Sequence, residues 1–368
     1  MKYTTFFLCV LLTTSAYCQV TTSISSFSGY ERNIYKVPNS LLSEGTVLGE
    51  NDLYASSIYQ DILAKLTYEK IWKHSSLKFY VTPEMRYYFS EQNARRVLLN
   101  SRVKYTYNFN RNTKWENTFS FKKKDQKGQD LDANELSTPL GYDRLNLSSA
   151  LIFRLSKRNR TSLAVHYGNK SFDASESRQI SYTIYGADIT WKQVQWKNHL
   201  LYAYGFNAGF SSRAYDIFDI EEEITNKRTW NYWNAEVFYK LPVHKKLAIQ
   251  PSIGYEKRMD ETNNQFGYDE LNAAVKVKYK GERFNFSMYP SYGYRVFDEL
   301  NIPGTSSQKL RYHYIRANMN MEYRLNKKFL LLSRAYLIDR NSNNNDITTT
   351  AYRSYNNNYI GLGLRFIF

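Results

Sequence analysis

The sequence predicts an all-β chain: a transmembrane, up-and-down antiparallel β-barrel of about sixteen strands, or fourteen if one hairpin is over-read. Three observations carry this. Apolar residues recur at every second position along most of the chain, the connections between these runs alternate between tight and long, and no run of eighteen apolar residues exists to make a membrane helix. Mean hydropathy is −0.60, yet 17% of the residues are aromatic. A polar average with a surplus of rings fits a wall that is greasy on one face and wet on the other.

The first eighteen residues read as a secretory signal, and 19–368 as the barrel. Lys2 is a short basic start, "FFLCVLL" an apolar core, and Ala16 and Cys18 are small residues before Gln19. Seven apolar residues span only about 10 Å as a helix, too little for a bilayer anchor. A lipid-modified Cys18 is the competing reading, which the bulky Tyr17 disfavours. The only cysteines, Cys9 and Cys18, fall in this segment, so the mature chain is expected to have no disulfide, no thiolate catalysis and no cysteine metal site.

The alternation is clearest at 77–89, where Leu77, Phe79, Val81, Met85, Tyr87 and Phe89 share one parity and Lys78, Thr82, Glu84 and Arg86 the other. The same test places strands near 57–70, 96–109, 114–124, 144–155, 161–168, 180–192, 199–210, 229–241, 247–256, 270–280, 284–296, 311–325, 329–338 and 355–368. That makes fifteen. Tight turns such as "NRNTK", "SKRNR", "PVHKK", "KGER" and "NKK" alternate with long connections at 125–142, 211–228, 257–269, 298–309 and 339–354. With the C-terminus on the short-turn side, parity requires a strand before 57, and 23–36 is the candidate. Pro83, Pro251 and Pro290 sit inside expected strands, where a closed barrel needs every N–H, so bulges or earlier strand ends are expected there.

Over this length the chain resembles the bacterial outer-membrane β-barrel proteins. Its end, "YIGLGLRFIF", matches the terminal G-x-x-Φ-x-Φ pattern that the barrel-assembly machinery reads, with Gly363, Phe366 and Phe368 in place. The polar residue of that pattern two places earlier is Gly361 here. Gln19 after the cleavage site is similar to exported proteins of the Bacteroidota. The resemblance implies an outer-membrane location, lipid around the wall and the assembly machinery as a partner.

Net charge is +16, or +15 without Lys2, and it is unevenly placed. Seven short turns hold fourteen Lys and Arg against the single acid Glu282, while the long connections carry Asp130, Asp132, Glu135 and "DIFDIEEE". A basic rim and acidic outer loops follow. The rim is either an anchor to anionic headgroups or a partner, or simply a set of solvated turns. Charge spread in this way makes no nucleic-acid footprint. The polar parity of the strands is net positive and includes Lys78, Arg86, Arg102, Lys104, Arg144, Arg154, Lys276, Lys278, Arg295, Arg316, Arg324 and Arg334. These are the candidate lumen-lining residues. They either favour anions in transit or pair with acids on neighbouring strands.

Catalytic patterns fail on spacing. His313 and Ser333 share a parity on adjacent strands, but the "NKK" turn sets Ser333 opposite Met321, about 27 Å of strand from His313. His166 and His199 lie on strands separated by another, which argues against a shared metal. No nucleotide loop or H-E-x-x-H occurs. No enzyme, metal or cofactor is expected, and 19–37 is too short for a plug domain. The expected function is a porin-like channel for small, preferably anionic solutes. The alternative is an export, assembly or interaction barrel for surface proteins or lipoproteins, or a structural envelope protein. Trimeric and monomeric barrels share this patterning, so oligomeric state stays open.

Overall fold

The computed structural model describes residues 18–43, 45–126, 141–173, 178–220, 222–262, 265–305, 307–348 and 354–368. The expected signal falls on residues outside these, apart from Cys18. Eighteen strands form: β1 (Cys18–Arg32), β2 (Ser40–Ser43), β3 (Thr46–Gly49), β4 (Ser57–Ile71), β5 (Ser75–Tyr88), β6 (Arg96–Asn108), β7 (Thr113–Gln126), β8 (Tyr142–Phe153), β9 (Asn159–Phe172) and β10 (Arg178–Lys197) make the first part. β11 (Leu200–Asp219), β12 (Ile224–His244), β13 (Leu247–Asp260), β14 (Tyr268–Lys280), β15 (Phe284–Asn301), β16 (Lys309–Arg324), β17 (Phe329–Ser342) and β18 (Tyr355–Ile367) complete it. β2 and β3 form a separate hairpin, and the other sixteen close into one barrel in which β1 pairs with both β4 and β18. Closing removes the edges that an open sheet would expose, and in hydrocarbon it also satisfies every ladder group.

The register sets the size. Ser25 pairs with Arg365, Arg365 with Leu330, and the pairing carried on around the ring returns to β1 about twenty residues from its start. Sixteen strands about 4.8 Å apart with that stagger tilt by about 40° and enclose a backbone radius of about 16 Å. A cylinder that wide leaves room for water inside its lining side chains.

The two ends differ. Seven turns, from 72–74 to 325–328, join Cys18 and Phe368 at one end, and Arg32, Tyr88, Gln126 and Ser342 end their strands at the other. The expected long connection at 211–228 is mostly strand: β11 runs to Asp219 and β12 starts at Ile224. Alternation there was masked by charge, because that part of the ribbon has water on its outward face, with Thr225, Lys227, Thr229 and Asn231, before the greasy run Trp233, Ala235 and Val237 begins. The expected acidic loop at 127–140 lies outside the described residues. The expected strand 23–36 begins earlier and stops at Arg32, where Asn33 takes a left-handed φ of 55°.

The three prolines make no bulge. At each, the ladder continues on one neighbour (Pro83 with Leu99, Pro251 with Val275, Pro290 with Ala317) and skips two pairs on the other, with register unchanged. A strand residue aims its N–H at one neighbour only, so a missing N–H costs one side of the ladder and leaves the other intact.

The closing seam explains Gly361 and Gly363. A Cβ on Gly361 would lie 2.4 Å from the Tyr59 hydroxyl, and one on Gly363 2.7 Å from Cδ1 of Phe27. Those two rings are laid flat along the β18–β1 junction and are each 1% exposed. Phe366 and Phe368 stack edge-to-face at 4.7 Å, and the Phe368 N–H bonds Thr22 across the seam.

Candidate functional site: the lumen

In a wall one sheet thick, a side chain can be wholly buried only on the concave side. Arg86, Asp61, Tyr59 and Tyr88 are 1–3% exposed, which identifies their parity as inward. The outward parity carries the large exposed apolar residues, Ile62, Val165, Ile253, Leu362 and Leu364 among them. A surface concavity of about 1010 Å³ is on that outward face over Val165, Ala187, Ala208 and Ala235. Its lining is mostly apolar wall that hydrocarbon covers, and it includes none of the twelve candidate cations.

One sector of the lumen is filled. Arg86 Nε bonds Asp61 Oδ1 at 2.6 Å, Nη2 bonds Oδ2 at 2.7 Å, and Nη1 bonds Glu31 Oε2 at 2.5 Å; the Tyr88 hydroxyl also donates to Glu31, at 2.6 Å. Its guanidinium lies 4.0 Å from the Tyr59 ring centre. The connection 33–56 folds onto this sector. Ile34 packs with Tyr59, Tyr88 and Ala94, Asn33 bonds Val37 and Asn356, and Asn357 Nδ2 bonds the carbonyl of Asn33. Burial lowers the pKa of the Lys36 ammonium in this loop, and nearby Arg96 pushes it the same way against Glu31. Burial also pushes the Tyr54 phenol up to about 12.

The opposite wall is built of small inward residues, Ser148, Ala150, Ala164, Gly168, Gly186 and Gly209, on β8 to β11. His166 Nδ1 meets Asp188 Oδ2 there at 3.1 Å.

The twelve candidate residues divide. Lys78 pairs with Glu69 (2.8 Å), Arg86 with Asp61 and Glu31, Lys104 with Glu116 (3.0 Å) and Arg295 with Glu270 (2.5 Å). Arg102, Arg144, Lys276, Lys278, Arg316 and Arg334 have inward positions and, among the described residues, no acid oxygen within 4 Å. Arg316 and Arg334 lie over Tyr314 and Phe27. Arg154 is not in the wall, since β8 ends at Phe153 and Arg154 enters the turn, where its N–H bonds Asn112. Arg324 is the last residue of β16, at the rim. Lys122 and Lys170 share the inward parity of Arg102 and Arg144.

The histidine spacing is as read from the sequence for His313: Ser333 pairs with Met321, and His313 with Asn341. His199 differs, lying in the turn between β10 and β11 with φ 60°. The turn end carries Lys73, Arg111, Arg154, Lys157, Arg158, Lys245, Lys246, Arg283, Lys327 and Lys328 against Glu282.

A closed, sixteen-strand, tilted wall with greasy residues outside, charges inside and an aromatic last strand decides the class. The chain has the fold of a bacterial outer-membrane β-barrel. Neither a protein-family model nor a curated protein sequence matches it. Among solved structures, the barrel is similar to OccAB3 of Acinetobacter baumannii (TM-score 0.49, 10% identity, covering 95% of this chain and 100% of that one). It is also similar to the outer-membrane channel DcaP of the same species (0.44, 13%, 96% and 99%) and to the ferric citrate transporter FecA (0.46, 9%). The barrel spans 90% of its own length but only 61% of FecA.

Proposed function

We propose that the barrel is a diffusion channel for small solutes that prefers anions. What carries this is the set of inward cations without acidic partners. Arg102 and Arg144 lie on the wall from β6 to β8. Lys276 and Lys278 occupy successive inward positions of β14, facing Gln250 and Ala248. Cations held unneutralised along a low-dielectric wall raise the local concentration of anions and lower the barrier to their passage. The side of the lumen lined by the small residues of β8 to β11 is the proposed path.

The test is reversal potential in planar bilayers under a potassium chloride gradient. A potential displaced toward chloride supports the reading; a cation-preferring current overturns it, as does a silent barrel. The second reading, an export or interaction barrel, draws on the packing of 33–56 across one sector of the mouth. Silence in the bilayer, together with co-purification of a surface protein or lipoprotein, favours it. The ring of turn cations is read as an anchor to anionic headgroups, and Gly363, Phe366 and Phe368 as the signal to the assembly machinery.

A further inference from the structure

Charges that meet across strands of the inner wall form pairs of both kinds, and the opposite-signed ones neutralise each other. Asp61 faces Arg86, Glu69 faces Lys78 and Glu270 faces Arg295, each pair in register and bonded. Even the facing cations Lys78 and Lys104 each hold an acid of their own. Like charges also face each other at Glu256 and Glu270, at Arg86 and Arg96, and at Lys192 and Arg160, but one run joins three strands in succession. Lys122 on β7 is directly opposite Arg144 on β8, and Arg144 is directly opposite Lys170 on β9. Arg102 on β6 is one inward position from Asn100, the residue that faces Lys122 from the other side. Among the described residues no acid oxygen lies within 4 Å of any of these four cations. Like charges facing each other destabilise a sheet, so this cluster costs the empty barrel stability that an anion between them would restore.

The cluster also has a cavity. A recess of about 560 Å³ in the wall is lined by Arg102, Lys122 and Arg144, with Asn100, Ser120 and Asn146 between them. That is the size of a site for a small organic ligand. Arg144 is oriented by its Nε bond to Asn146 Oδ1 at 3.1 Å, and the Lys170 ammonium is carried on the rings of Tyr142 (4.0 Å) and Phe172 (3.8 Å) at the edge of the recess. Guanidinium forks suit the paired oxygens of a phosphate or carboxylate, and amides and a hydroxyl suit alcohol groups.

We propose that this recess on β6–β9 is a binding station for a polyhydroxylated anion, a sugar phosphate or sugar carboxylate. A neutral sugar leaves the cations uncompensated, and a bare inorganic anion leaves Asn100, Ser120 and Asn146 unmatched. The inference rests on the anion-channel reading and narrows it to a solute class.

Isothermal titration of the detergent-solubilised full-length barrel with glucose 6-phosphate, glucuronate, glucose and inorganic phosphate tests it. Glucose 6-phosphate or glucuronate binds at least tenfold more tightly than glucose or phosphate, and which of the two binds better identifies the anionic group. Lys122→Gln with Arg144→Gln weakens that binding at least tenfold, and the single change Arg102→Gln weakens it in a barrel with all other charges kept. Lys227→Gln, on the outward face of β12, leaves it unchanged. Phosphate binding as tightly as glucose 6-phosphate overturns the proposal, as does wild-type affinity in the Arg102 variant. A barrel that binds glucose 6-phosphate but passes no current removes the channel reading and leaves this one standing.

Discussion

Arg86 grips Asp61 with two parallel bonds, 2.6 Å and 2.7 Å, inside a lumen sector where both side chains are almost completely shielded from water. The residues come from β5 and β4 and share one rung of the ladder. Glu31 from β1 completes the group, so one guanidinium ties three strands beside the seam where the barrel closes. Two desolvated carboxylates depend on a single cation.

Removing that cation should be costly. Arg86→Ala leaves Asp61 and Glu31 buried without a counter-charge, a loss of about 3–5 kcal/mol. In guanidinium titrations of the refolded barrel the midpoint should fall well below wild type, with Asp61→Asn milder. An unchanged midpoint for Arg86→Ala would show that water reaches the group and compensates it.

The seam glycines make a second prediction. Gly361→Ala places a methyl 2.4 Å from the Tyr59 hydroxyl, and Tyr59 is held too tightly by Arg86 and its neighbours to withdraw freely. A loss of about 1–3 kcal/mol is expected. Tyr59→Phe in the same chain should recover much of it, and additive effects in the double-mutant cycle would rule the clash out.

Selectivity should follow the free lysines of β14. Lys276→Glu with Lys278→Glu should cut the anion-to-cation permeability ratio about twofold or more in dilute salt. The effect should shrink in 1 M salt, where screening length falls to about 3 Å. A ratio that does not move would place the ion path elsewhere in the lumen.

Phe368 separates assembly from stability. Its side chain is 66% exposed and stacks only on Phe366 among the described rings, while its backbone N–H holds Thr22. Phe368→Ala keeps that bond. In cells, the amount of folded barrel in the outer membrane should fall, while the purified variant refolds in detergent with a near-normal midpoint. Normal assembly in cells would remove Phe368 from the recognition signal.

Lys36 supplies a pH dependence. Its pKa in the folded chain is lowered by burial, so between that value and the ordinary 10.5 the unfolded chain binds the proton more readily than the folded one. Folding of the 33–56 connection therefore gains stability as pH rises through that window, and gains nothing above it. Competitive acetylation read by mass spectrometry should show Lys36 deprotonating at lower pH than exposed Lys245. Identical profiles would show that Lys36 is hydrated.

Much of the fold was legible because alternation is a local property. The parity of Leu77 against Lys78, or of Leu364 against Arg365, can be read without knowing any neighbour, and each separates lipid from lumen. Where water lies on both sides the signal disappears, which is why the upper parts of β11 and β12 read as a loop. The site was only half legible. Parity marked Arg86, Arg102 and Arg144 as inward alike, but nothing in the spacing told that Arg86 would meet Glu31 across 55 positions of chain while Arg144 would face Lys122 and Lys170.

The sequence by itself determined the class, a barrel of about sixteen strands, the face most side chains present and which end carries the turn cations. Each of these follows from period-2 hydropathy and from turn length, which act over a few residues. Only the tertiary structure decided which charges neutralise one another, which sector 33–56 fills and where the recess lies. Those depend on the stagger accumulated around sixteen strands, and a shift of two residues at any one interface would keep every face and change every partner across that interface.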